Sequence, residues 1–270
     1  MSSYLKDRDG KNWHDDEAFY LKPTFDGYTG LLNCIEHLSK DYTLNIHTLN
    51  HDLFFERLNN TEWLNGNLSD GFEELNSPYY GKLLHDNRNY MCRLSRYTGK
   101  YTGKIRFYKL HGSKDYYVYS GTQGNAFIPE NYIKSKWGVG STNFYKEKMD
   151  KDGNIIYENC WVNYHSDFLT GTSSKIIRYR EPLLYKQLFK MFENNIKAAD
   201  MLIIIGYGCK DTEINKILIE KFGKGKPCYI VDPFAGDLVK SFVAQIGSSA
   251  KLVIKQLETL KITDLNPKMS

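Results

Sequence analysis

Residues 201–231 constrain the fold more than any other stretch of the chain. Met201 to Ile205 is a continuous apolar run, dominated by isoleucine, and it breaks at Gly206. A run this short, bounded by glycine, predicts a strand buried on both faces, as in a parallel sheet. A helix over about 212–222 follows, with Asp211 as its natural N-cap, and then a second strand in "PCYIVD". "DLVKSFVAQIG" has helical character, and "KLVIKQ" supplies a third strand. Strand, helix, strand, helix, strand predicts an α/β fold with a parallel sheet and crossover helices.

The upstream half repeats parts of this pattern. Leu31, Leu32, Ile35 and Leu38 recur at helical spacing, which predicts an amphipathic helix over 28–40. "YTLNIHTLN" then reads as a short strand, "DLFFERL" as helix and "KIRFYKLHGS" as another strand. Leu184, Leu188, Met191, Phe192 and Ile196 place one apolar face on a helix within "REPLLYKQLFKMFENNIKAAD". The core is therefore expected in 28–58 and 105–265, within one domain over 1–270. Residues 60–104, rich in Asn, Gly, Ser and Tyr, read as a loop-rich insertion or cap with at most short elements. Residues 114–165 are polar and aromatic, with turn signals such as "DKDGN".

Composition narrows the class. Hydrophobic residues at 41% and charged residues at 25% are globular values. The net charge of +4 comes from 36 basic and 32 acidic residues that are scattered, so charge offers no argument for nucleic acid. The 21 tyrosines read as amphipathic packing, with a stacking platform for bases as the alternative. None of the five cysteines forms a C-x-x-C pair, so no zinc ribbon and no metal site is expected. Their odd count and wide spacing suit a reduced, cytoplasmic protein. No signal-like segment and no apolar run near the ~18 residues of a membrane span is present, so no membrane role is expected.

Ligands of open parallel sheets bind beyond the carboxyl ends of the strands. Three predicted strands end in polar loops: "HTLNHD" (47–52), "KLHGS" (109–113) and "IGYGCKD" (205–211). Alone, Asn50 and Asp52 read equally as a helix N-cap, His111 as a histidine packed in a turn, and Gly206 and Gly208 as a tight turn. Asp211 reads first as an N-cap, and Asn215 as bonding back to hold the glycine turn. Together the loops put an amide, a carboxylate, an imidazole and an accessible glycine turn at one sheet edge.

The combination resembles the sirtuin (SIR2) superfamily. Thr48-Leu49-Asn50-His51-Asp52 resembles its T-x-N-x-D motif, and Leu110-His111-Gly112-Ser113 its L-H-G-S motif. "IIIGYGCKDTEIN" is close to a segment of the bacterial SIR2-like subgroup, as are "FLTGTSS" (168–174) and the following "YREP". The motifs fall in the family's order over roughly 28–235. The resemblance implies a Rossmann-like NAD-binding fold and NAD as substrate. It implies catalytic roles for Asn50, Asp52 and His111, and a cofactor site lined by Thr48, Gly112, Gly206 and Tyr207. Asp232, at the end of "CYIVD", is implied as an acceptor for adenosine ribose hydroxyls, or else simply starts the "DPFAGD" turn.

The chemistry agrees with these residue types. Cleaving the nicotinamide–ribose bond develops oxocarbenium-like charge, which a carboxylate stabilises, while an amide positions water or the leaving carboxamide. A histidine exchanges protons near neutrality. Without the zinc module of deacylating sirtuins, the resemblance favours NAD+ hydrolases, often effectors of bacterial defence against phage, over protein deacylases. A degenerate nucleotide-binding or regulatory module is the remaining class.

One family feature has no counterpart. The strand and G-A-G-x-S loop that normally cradle the pyrophosphate find no match before Asn50. The chain is thus expected to be the downstream part of a longer product, or to have lost part of its site. It is expected to bind NAD or ADP-ribose weakly, and to rely on a homo-oligomer, a missing N-terminal segment or a partner protein.

Overall fold

A computed structural model describes residues 26–265, apart from 86, 124–125, 137, 141, 160, 163–164, 170–177 and 248. After a 3₁₀ turn, helix α1 (Thr29–Asp41) turns Leu31, Leu32, Ile35 and Leu38 inward. It is followed by β1 (Leu44–Thr48) and the single helical turn α2 (Phe54–Arg57). Short β2 (Leu68–Ser69) and β3 (Gly71–Glu73) precede β4 (Tyr79–His85), β5 (Arg88–Arg93) and β6 (Ser95–Lys100), and β7 (Ile105–Lys109) returns to the core. The segment 60–104 is therefore built of strands rather than loops. Its partners come from 116–162: β8 (Tyr116–Gln123), β9 (Ala126–Lys134), β10 (Phe144–Met149), β11 (Ile155–Asn159) and β12 (Trp161–Val162).

These strands form two antiparallel sheets, in the orders β11-β10-β4-β5 and β12-β8-β9-β6-β3. Tyr79, Leu94, Tyr117, Tyr119, Ile133, Val139, Phe144 and Val162 are packed between them. Sequence periodicity hid this region because tyrosine serves inward and outward positions alike. Tyr117 and Tyr119 are buried at alternate positions of β8, but their polar hydroxyls mask the period-2 signal.

The remaining elements are α3 (Tyr185–Ala198), β13 (Leu202–Ile205), α4 (Thr212–Lys221), β14 (Cys228–Val231), α5 (Asp237–Ile246), β15 (Ala250–Val253) and α6 (Ile262–Leu265). From α3 to β15 this half follows the sequence expectation element by element, α6 being an addition to it, and the molecule is α/β. Two separate three-stranded sheets are parallel throughout, β1-β7-β2 and β13-β14-β15. One apolar cluster on α1, holding Leu31, Leu32 and Ile35, meets Leu44, Ile46 and Ile105 of the first sheet and Ile203, Ile205 and Val231 of the second. On the other face, Leu188, Phe189, Phe192 and Ile196 of α3 join Tyr108, Leu202, Ile204 and Ile230. Each such side chain contributes about 1.5–3 kcal/mol by leaving water, so packing rather than propensity holds α3. No helix among the described residues is long and apolar enough to cross a membrane.

Candidate functional site

The carboxyl ends of β1, β7 and β13 carry the three loops singled out in the sequence. Beyond β1, Thr48 Oγ1 accepts a hydrogen bond from the Asn50 backbone N–H at 3.1 Å, which folds the loop back at Asn50. Asn50 is exposed, and its side-chain amide makes no hydrogen bond to a described residue. Asp52 is exposed as well, and its Oδ1 accepts from the Phe54 N–H at 3.0 Å at the start of α2. Leu53 rather than Asp52 is the N-cap of α2, so the Asp52 bond closes a turn just before the helix instead of capping it. The neighbouring Lys114 has its pKa lowered by burial, against which the Asp52 carboxylate acts.

This loop is tied to the one after β7. Leu110 N–H donates to the Thr48 carbonyl at 3.0 Å, Lys114 N–H to the His51 carbonyl at 3.1 Å, and the Lys109 ammonium to the Asp52 carbonyl. Lys109 is buried and also donates to Ser113 Oγ at 2.8 Å. Its Nζ lies 2.8 Å from Glu56 Oε1, an ion pair. Burial pushes the Glu56 carboxyl pKa up, while Lys109 and then Lys134 pull it down. Lys134 of β9 in turn bonds Asp70 and sits 3.7 Å from Asp115, so the network anchors the antiparallel region to the core.

His111 is buried two residues further on. Its Nε2 lies 3.1 Å from the Tyr179 hydroxyl, which donates to Asp211 Oδ2 at 3.0 Å. A phenol has one proton, and the carboxylate accepts it, so the oxygen accepts from His111. This assigns a proton to Nε2. Asp211 Oδ2 is 3.7 Å from Nε2 and stabilises the same proton. Burial, and then the Asp211 charge, push the Tyr179 pKa far up, so the hydroxyl keeps its proton.

Gly112 explains how the turn closes. With φ +80°, a Cβ there would lie 2.4 Å from the Asp167 carbonyl oxygen and 2.6 Å from the Tyr185 hydroxyl. Only glycine fits, and the turn is pinned by Leu169 N–H to the His111 carbonyl at 2.7 Å and a bridge between Gly112 and Phe168. Asp167 is itself held by Arg178 at 2.8 Å and the Tyr132 hydroxyl at 2.6 Å. The ring of His51 lies beside Phe168, with centroids 4.8 Å apart, and 6.2 Å from the ring of His111.

Beyond β13, Gly206 has φ +58° and open space where a Cβ would sit, so its backbone is accessible on that side. Tyr207 turns its hydroxyl inward, 2.8 Å from Asn215 Oδ1 and 2.9 Å from the Asp211 carbonyl oxygen. Its hydroxyl is therefore engaged in the scaffold, and only its half-buried ring is left to line a crevice. Asn215 Nδ2 donates to the Cys209 carbonyl at 2.8 Å, the back-bond expected of it. Asp232 Oδ1 accepts from the Phe234 and Ala235 N–H groups, both at 2.8 Å, which is the turn-starting role. Its charge also helps raise the Cys209 pKa to about 11, behind burial, so it lies near the 206–209 loop.

The structure thus brings Thr48, Asn50, Asp52, His111 and Gly112 into linked loops and joins them to Asp211 across Tyr179. Gly206 and Tyr207 adjoin Asp211 in sequence, and Asp232 stands one strand further over. Asp211 goes beyond its expected structural role: Oδ1 caps α4 by accepting from the Ile214 N–H at 3.2 Å, while Oδ2 serves Tyr179. Tyr179 was visible in sequence only as the first residue of "YREP", and nothing there linked it to His111. Residues 170–174 of the "FLTGTSS" segment lie outside the described residues. Among the described residues no group of three or more His, Cys, Asp or Glu could hold a metal ion. No protein-family model matches the chain, and no curated protein matches it.

Proposed function

We propose that the chain is a SIR2-like NAD-binding domain of Rossmann-like type. Its reaction is hydrolysis of the nicotinamide–ribose bond, giving nicotinamide, ADP-ribose and a proton. The observation that supports this best is the chain His111–Tyr179–Asp211, which orients a buried imidazole beside the loop that presents Asn50 and Asp52. His111 is the base for water or a ribose hydroxyl, Asp52 offers carboxylate charge to the oxocarbenium-like sugar, and Asn50 positions water or the leaving carboxamide. The accessible backbone at Gly206 suits close approach of the dinucleotide. The class this agrees with is the bacterial anti-phage effector, acting in the cytoplasm.

Turnover by the isolated chain is expected to be slow, because no glycine-rich loop for the pyrophosphate stands beside these groups in the sequence. Titration calorimetry should show weak binding of NAD and ADP-ribose. Nicotinamide release should be slow and should be lost in Asn50→Ala and His111→Ala with binding retained. Binding without release in the unaltered chain would support a regulatory nucleotide-binding module instead, a reading favoured by the use of Asp232 Oδ1 in its own turn. An acetyl-peptide assay should be negative. Absence of any NAD or ADP-ribose binding would overturn both nucleotide readings.

A further inference from the structure

The four-stranded antiparallel sheet ends in two unlike edges, β5 on one side and β11 on the other. β5 begins and ends in Arg88 and Arg93, and charged residues of this kind keep a strand edge from pairing. β11 is exposed at all five residues and carries two isoleucines and a tyrosine, with Glu158 as its single charge. No bulge interrupts its register with β10. Among the described residues twelve large hydrophobic side chains are exposed, and four of them, Met149, Ile155, Ile156 and Tyr157, stand on this one hairpin. An unbulged, apolar and nearly uncharged edge is a template for another strand.

Backbone bonds show which groups this edge offers. Asp150 N–H donates to the Asn154 carbonyl at 2.9 Å, while Glu147 N–H turns the other way, to the Pro78 carbonyl beside β4 at 2.7 Å. With Lys148 opposite Ile156 in the register, the hydrogen-bonded pairs of the hairpin are Lys148–Ile156 and Lys146–Glu158. The N–H and carbonyl groups of Ile155, Tyr157 and Asn159 therefore point outward from the sheet edge. Side chains alternate as well. Ile155 and Tyr157 share one face with Met149, where the Tyr157 ring meets Tyr80 edge-on with centroids 5.0 Å apart. Ile156 stands on the other face, beside Lys148.

We propose that β11 pairs antiparallel with β11 of a second copy of this chain, about a two-fold axis at Ile156, joining the two sheets into one. Side-chain matching selects both the partner and the axis. An axis at Ile156 sets Ile155 against Tyr157 of the second copy, the reverse pair alongside it, and Ile156 against its own counterpart. Both Ile155–Tyr157 pairs exchange their outward backbone bonds, and Glu158 falls opposite Asn154, so no like charges face each other. Moving the axis to Tyr157 would set Ile155 against Asn159 and Ile156 against Glu158, which wastes the apolar side chains. At the Ile156 axis, Met149, Ile155 and Tyr157 of the two copies form one continuous apolar strip across the join. Such self-complementarity is the mark of a closed two-fold interface. An interface of this length buries less than ~1,200 Å², so the dimer belongs to the micromolar range. The inference rests on this sheet alone and stands apart from the NAD reading.

Sedimentation equilibrium of the full chain at roughly 1–300 µM tests it, with a monomer–dimer equilibrium and a Kd on the order of 10 µM as the expected result. Ile155→Lys changes a side chain that is 61% exposed, so thermal unfolding should be unaffected. It should weaken the dimer at least ~10-fold, because symmetry removes two apolar pairs at once. Cross-linking in a Cys160→Ser background reads the axis. Residues facing each other in a non-hydrogen-bonded pair have Cα atoms ~4.5 Å apart, within disulfide reach. Copper-catalysed air oxidation should therefore give a covalent dimer with Ile156→Cys, but not with Tyr157→Cys or the background alone. A monomer at the highest concentration would overturn the proposal, as would a dimer that Ile155→Lys leaves intact. Cross-linking through Tyr157→Cys in place of Ile156→Cys would overturn the axis. Species that grow past a dimer with concentration would mean open assembly through β5, and would overturn the closed pairing.

Discussion

Lys109 and His111 stand two residues apart at the end of β7, and their surroundings are opposite in kind. Both are buried, and both meet a carboxylate. Lys109 is enclosed by Glu56, Ser113 and the Asp52 carbonyl, and its neighbours Lys134, Asp70 and Asp115 complete a charge network of both signs. His111 is held on one ring nitrogen through Tyr179 to Asp211, and the loop beside it exposes Asn50 and Asp52. A polar cluster largely closed off from solvent holds structure together. One bordered by exposed polar side chains, and open in that sense, lies within reach of a ligand. The contrast separates scaffold from site where residue type alone would not.

The most severe way to break the contrast is to empty the closed side. Lys109→Ala strands a buried carboxylate at Glu56 and should cost about 3–5 kcal/mol in urea denaturation, whereas Lys109→Met combined with Glu56→Leu should recover most of it. Equal losses in the single and double variants would show that Lys109 does not compensate a buried Glu56 carboxylate.

Acid sharpens the contrast, because the first group to fail belongs to neither cluster. His47 is stacked on Tyr108 and edge-on to Phe192, and burial pushes its pKa down to about 3. The folded ring stays neutral while the unfolded ring takes a proton below ~6.5. Stability should therefore be full above that pH and fall by about 1.4 kcal/mol per pH unit down toward about 3, where the folded ring is protonated too. The slope over this window should vanish in His47→Phe. Effects of His111 are best measured above pH 6.5 for that reason.

The smallest stability change is expected on the open side. Tyr179→Phe deletes the bridge between His111 and Asp211 and should cost only ~0.5–1.5 kcal/mol, while nicotinamide release falls and NAD affinity holds. A loss of stability comparable to that of Lys109→Ala would class Tyr179 with the scaffold.

Legibility from sequence followed the same physical division. The parallel strands were visible because a strand buried on both faces is apolar throughout, as in Leu202–Ile205 and Cys228–Val231. The helices α1 and α3 were visible because their apolar spacing matches one turn. The antiparallel strands on either side of β7, within 79–100 and 116–134, were not, since tyrosine at Tyr79, Tyr117 and Tyr119 carries a polar atom into a core. In the site, His111, Asn50 and Asp52 stood out because they follow strands directly. The link through Tyr179 joins residues 68 and 32 positions apart, and no local pattern reports such a contact. Asp211 was half legible: a capping carboxylate has two oxygens, and sequence shows only the use of the one that caps.

The clamp on Gly112 also sets a timetable. The carbonyls and N–H groups that hold the His111 turn come from Asp167 to Leu169, beyond the antiparallel sheets, and the carboxylate behind Tyr179 comes later still, at Asp211. During synthesis from the N-terminus, β1 and β7 can pair long before any of these residues exists. The site therefore cannot assemble on the emerging chain until Asp211 has been made, and its contacts are among those that close the longest loops. A ribosome-bound chain stopped before Asp211 would display β1 and β7 with the histidine turn still unorganised.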